Sequence, residues 1–213
     1  MYSMHIKTSE SMRADPLFMR NAYEGQGKWE MPIVHKQRIC LDNVSLIACS
    51  DTRPNDSSIN TSRGVHFFVD DYRFDGIYRN PKKSLNKYSQ YAFLLTPDYS
   101  VYADMQPWRQ LESVAHSRWC GAFWQSKDLT VIATVTWGGA YSYDYCFDGI
   151  ETGAIVAVGM IGCKMNKKTF LHGYDAMLER LSPEAVICFG DPFPEMRGNL
   201  ITVDYRTSRM AVR

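Results

Sequence analysis

The 213-residue sequence has no CxxC pair, no HExxH and no Cys/His spacing of the kind that builds a structural zinc site. Its six cysteines (Cys40, Cys49, Cys120, Cys146, Cys163 and Cys188) are scattered. Several sit within or beside apolar runs, as free buried thiols do. With no signal peptide, this pattern points to a reducing, cytoplasmic compartment. The longest apolar runs are too short to cross a bilayer, so no membrane association is expected. Charge of one sign is lacking too: 24 Lys and Arg against 23 Asp and Glu leave a net +1. That balance argues against a broad nucleic-acid or membrane-binding surface. There is no GxGxxG, Walker A, GxSxG or RNA-binding signature, so nucleophilic Ser or Cys catalysis has no support.

What the chain does have is aromatic residues: 13 Tyr, 10 Phe and 5 Trp, within a hydrophobic content of 45%. Large side chains of this kind fill a core, and some can line a pocket. The stretch YAFLLTPDYS (91–100) reads as a short buried strand that delivers Asp98, Tyr99 and Ser100 to its carboxyl end. Apolar runs at 44–49, 65–69, 129–136, 154–158, 185–189 and 200–204 likewise end in polar, aromatic or glycine residues. Helical patterns separate several of them. A long helix is expected from an N-cap at Asp104 to about Gln125, with Trp108, Leu111, Ala115, Trp119 and Ala122 as its core stripe. A second is expected from about 168 to 181. Residues 1–32 read as an N-terminal arm, 33–213 as one α/β domain, and 50–64 as a long polar surface loop.

Short strands alternating with helices predict a mainly parallel sheet, an irregular or incomplete (β/α) barrel in preference to a doubly wound sheet. Either arrangement puts ligands at the carboxyl ends of the strands. Asp70, Asp71 and Asp98 each follow a predicted strand, so one rim would gather them. Clustered carboxylates can divide acid and base roles, or hold a divalent metal through oxygen. The plainer alternative is that each caps the following turn. Arg118 lies about 20° round its helix from Leu111. A guanidinium pointing inward needs a partner, and Asp98 or a structural ion pair would serve. The segment GMIGCKMNKK (159–168) leaves a strand through Gly159 and Gly162 and places Lys164 and Lys167 at a helix start. There they oppose the macrodipole, which an anion would relieve; a solvated lysine cluster is the alternative. Trp137, before Gly138 and Gly139, is a stacking platform for a base or sugar, or a core residue at the rim. The five histidines are scattered, and His116 reads as surface.

Five segments together resemble an uncharacterised family from bacteriophages, plasmids and other bacterial mobile elements, known mainly as a domain of unknown function. They are HFFVDDYRFDGIYRNPKKSL (66–85), LLTPDYSVYADM (94–105), VTWGGAYSYDYCFDGI (135–150), IVAVGMIGC (155–163) and LSPEAVICFG (181–190). The resemblance implies a single soluble α/β domain in a phage or mobile-element setting and carries over no catalytic residues. Two function classes follow. The first is a cleft that binds or hydrolyses a phosphate-bearing nucleotide, a nucleoside or a sugar, by acid–base or metal-assisted chemistry. The second is a non-catalytic module that binds a host or phage protein. Nucleic-acid binding comes third.

Overall fold

The computed structural model describes residues 8–208. Two short helices, Ser9–Arg13 and Pro16–Met19, precede a small antiparallel hairpin of β1 (Gly25–Gln26) and β2 (Met31–Pro32). Seven strands follow: β3 (Leu46–Ala48), β4 (Gly64–His66), β5 (Phe93–Leu95), β6 (Val131–Thr134), β7 (Ile155–Gly159), β8 (Ala185–Phe189) and β9 (Leu200–Val203). They form one parallel sheet in chain order, with no strand inserted out of sequence. Parallel crossovers are right-handed, so stepping always in one direction puts every connection on the same face. A doubly wound sheet needs a reversal of direction, and this order has none. The sheet therefore curls into a half-barrel with helices outside.

Both faces are buried, which is why the strands read as continuous apolar runs. Outward residues such as Ile47, Val65, Leu94, Val156 and Val186 pack under the helices. Inward residues such as Leu46, Phe93, Leu95, Ile132, Ile155, Ile187 and Phe189 fill the concave side, where Ile39, Leu41 and Val44 cover part of them. Among the described residues no helix is long and apolar enough to cross a membrane.

Three expectations are corrected. The long helix is Pro107–Gln125, with Pro107 at its first position, and Gln106 rather than Asp104 precedes it. Of the expected stripe, Trp119 and Ala122 are buried and Leu111 and Ala115 pack half-buried against the core, but the seat also includes Val114, Cys120, Phe123 and Trp124 and several polar side chains. Trp108 is 68% exposed, whereas Gln110, Ser117 and Arg118 are buried. Ser117 Oγ bonds Thr96 Oγ1 at 3.0 Å, and Gln110 Nε2 donates to the carbonyls of Tyr102 and Met105. Apolar periodicity marked part of this face and could not show the polar positions, which hydrogen bonding holds inward. Residues 50–64 are also more than a polar surface loop. They contain the helix Ser58–Thr61 with Asn60 buried, and Tyr91 donates its hydroxyl to Asp56 at 2.6 Å. His116 is not surface: its ring stacks on Tyr78 at 3.6 Å.

Candidate functional site at the strand ends

A cleft of about 1020 Å³ opens where β3 to β7 end. The chain exits each strand through a polar or small residue, because the apolar run stops where the sheet meets solvent. Ser50 and Asp51 follow β3, Asp70 and Arg73 follow β4, Asp98 and Ser100 follow β5, Thr136 and Trp137 follow β6, and Gly159 and Gly162 end the β7 segment. Phe68, Tyr102 and Phe170 add aromatic wall. The volume suits a small organic ligand.

Asp98 lines the cleft half-buried, and its carboxyl has no hydrogen bond or ion pair among the described residues. Burial, and then the charge of Asp71, push its pKa from 3.8 to about 7. Asp71 itself is a brace: it accepts from the Ser100 backbone N–H at 3.1 Å and from Ser100 Oγ at 2.9 Å. That bond ties the β4 exit to the β5 exit and holds a negative charge near Asp98. Asp70 is 68% exposed at the rim, with Arg73 Nε at 3.6 Å. Cys163 also lines the cleft. Burial and the charge of Asp98 push its thiol up to about 11, so it stays protonated.

Trp137 borders the cleft but is held from behind. Phe170 lies 5.0 Å from its ring centre and Phe147 6.3 Å. Gly173 lies beneath the indole: a methyl group there would come within 2.1 Å of Trp137 Nε1. Gly162 takes φ +80°, a left-handed turn with open space around it, and directs the chain past the cleft into the turn Cys163–Asn166 and the helix Lys167–Leu181.

Arg118 belongs elsewhere. Its side chain is fully buried and donates to three carbonyls, Thr134 at 3.0 Å, Cys146 at 2.7 Å and Asp148 at 3.0 Å. It reaches none of the cleft carboxylates, and its partners are backbone carbonyls rather than Asp98. Burial lowers its pKa to about 10. Lys164 and Lys167 also stand outside the lining, within 4.0 Å of Asp191 and 2.7 Å of Glu195 respectively. The structure thus brings Asp70, Asp98, Trp137, Gly159 and Gly162 to one cleft, with Asp71 bracing it, and leaves Arg118, Lys164 and Lys167 out. Among the described residues, no three His, Cys, Asp or Glu side chains are placed to hold a metal. Asp51, Arg73, Thr136, Phe68 and Phe170 were missed in the sequence. Asp51 was within reach, since it follows an apolar run as Asp70 does.

Fold and cleft together define an α/β half-barrel with a cleft at its strand ends. The chain belongs to the family described as Domain of unknown function (DUF4417), whose model matches residues 23–206. It is similar to the Gene 1 protein of Mycobacterium phage L5, 33% identical over 191 residues, covering 88% of this chain and 82% of that protein. The Gene 1 protein of Mycobacterium phage D29 is 32% identical over 179 residues, covering 83% of this chain and 66% of that protein. No solved structure matches.

Proposed function

We propose that the strand-end cleft binds a small ring-bearing ligand of the nucleoside or sugar class, and that Asp98 exchanges a proton with it. The observation carrying this reading is a carboxyl without a described partner, lining a cleft of about 1020 Å³ at the end of β5. Hydroxyl and carboxyl groups from Ser100, Thr136 and Asp98, beside the aromatic surfaces of Trp137 and Phe170, suit a polyol or nucleoside. Near neutral pH, Asp98 is divided between its protonated and ionised forms, the condition under which one group can donate and then accept in a hydrolytic cycle. Asp71 acts on Asp98 through its charge and through the Ser100 brace. With Lys164 and Lys167 next to Asp191 and Glu195, a ligand phosphate would meet little cation in the cleft, which favours the nucleoside or sugar over the nucleotide.

A thermal-shift series tests this, using nucleosides, 5′-nucleotides and monosaccharides at pH 6 and 8 on the wild type and Asp98→Asn. The expected result is a saturable rise in melting temperature with nucleosides or sugars that changes in Asp98→Asn. A ligand at a hundred times its Kd adds about 2.7 kcal/mol, which is readily seen. No rise with any probe refutes the reading.

A second reading is favoured by one observation. Tyr72, Tyr102, Ile161 and Met165, on segments leaving three different strands, stand 61–94% exposed at or beside the cleft mouth. Apolar side chains so placed suit contact with a host or phage protein partner. Co-purification of a partner that is lost on replacing Ile161 and Met165 by Ser, with no small-molecule response, would support it over the first.

A further inference from the structure

The cleft is unbalanced in charge. Asp51, Asp70 and Asp98 line it against Arg73 alone, and Arg73 already faces Asp70 at 3.6 Å. Asp71 adds a fourth carboxylate behind Asp98, and the other titratable lining groups, Cys163 and Tyr102, contribute no positive charge. The walls carry the aromatic surfaces of Phe68, Tyr102, Trp137 and Phe170. Aromatic faces attract cations, and a carboxyl held away from water attracts them more strongly than one in solvent.

We propose that the ligand enters this cleft through a protonated nitrogen, an ammonium or a guanidinium, which lies against Asp98 between the aromatic walls. The proposal rests on the ligand-binding reading above and narrows its class. It selects amino sugars and amine-bearing nucleosides and disfavours free phosphate esters. A bound cation would also give the Asp98 carboxyl a partner, drawing it toward its ionised form. The same chemistry is carried at the tip of a Lys or Arg side chain. In that case Tyr102, Ile161 and Met165, exposed at the mouth, would cover the flanking apolar residues of a peptide.

Calorimetric titration of the full chain near pH 7.5 with matched probes decides the matter. The pairs are glucosamine against N-acetylglucosamine, N-acetylargininamide against N-acetylcitrulline amide, and an acetylated Leu-Arg-Leu amide against its citrulline counterpart; adenosine monophosphate is the anionic control. The charged member of a pair is expected to bind at least about tenfold more tightly. Asp98→Asn is expected to erase that difference, while the pairs read on the wild type need no variant to fold. Tighter binding of the tripeptide than of N-acetylargininamide assigns the cation to a protein source, and the reverse assigns it to a free ligand. Equal binding within every pair, or tighter binding of the monophosphate, overturns this inference while leaving a ligand-binding cleft in place. No binding by any probe overturns both.

Discussion

Replacing Asp98 by Asn removes a charge that the fold holds at a disadvantage. Its pKa rises from 3.8 to about 7 on folding, chiefly through burial and then through Asp71. Between about pH 4 and pH 7 the folded carboxyl therefore keeps a proton that the unfolded chain has released. The folded state binds more protons there, so stability falls as pH rises through this window and levels off above it. One pKa unit corresponds to about 1.4 kcal/mol, so the full shift sets a ceiling of about 4 kcal/mol; water reaching the open cleft lowers the expected value to about 2 kcal/mol. Asn has the shape of the protonated acid and carries no charge. Asp98→Asn should match the wild type at pH 4 and exceed it by about 2 kcal/mol at pH 8. Urea unfolding at pH 4, 6 and 8 reads this as a shift in midpoint at constant slope. A variant less stable than the wild type at pH 8, or a difference that does not change with pH, would refute the reasoning. It would mean that the carboxyl is well solvated or partnered, and the case for proton transfer would lapse with it.

Three further outcomes follow from the same geometry. Arg118→Met leaves the carbonyls of Thr134, Cys146 and Asp148 without their donor, and a loss of about 3–5 kcal/mol is expected in urea unfolding; a loss under about 1 kcal/mol would show those carbonyls satisfied by other means. Tyr91→Phe removes the 2.6 Å bond to Asp56, and should cost about 1–2 kcal/mol and speed protease cleavage within residues 50–64. Unchanged cleavage would contradict the anchoring role given to Tyr91. Iodoacetamide near pH 7.5 should label exposed Cys40 first and spare Cys49, Cys120, Cys146 and Cys188, whose thiols burial pushes up; mass spectrometry of the native protein checks the order.

Where the sequence was readable, the reason was local. Residues 185–189 are an unbroken apolar run bounded by Pro183 and Gly190, and they form β8 over the same span. Asp98 could be placed at a strand end because Pro97 interrupts the run of 91–96. The helix Lys167–Leu181 buries Phe170, Tyr174, Met177 and Leu181, close to the face its periodicity marked. What escaped depended on partners distant along the chain. Arg118 is inward-pointing, as its position on the helix suggested, but its acceptors are carbonyls 16 to 30 residues further on, and no side-chain pattern records a carbonyl. The lysines of 159–168 looked available for an anion until Asp191 and Glu195 came near them from the segment before β9. Residues 50–64 looked uncommitted because Tyr91 and Gln90, which tie them down, lie beyond β4 and the helical segments Asp71–Arg73, Gly76–Arg79 and Pro81–Tyr88.

The chain-order sheet also bears on how the protein is made. Every strand from β4 to β9 joins the one that left the ribosome just before it, so the growing edge is always the newest. No finished pairing has to be reopened to admit a latecomer, and the loop closed at each step stays short. Assembly can thus keep pace with synthesis, and the strand that leads to Asp98 is laid down before its neighbour that leads to Trp137.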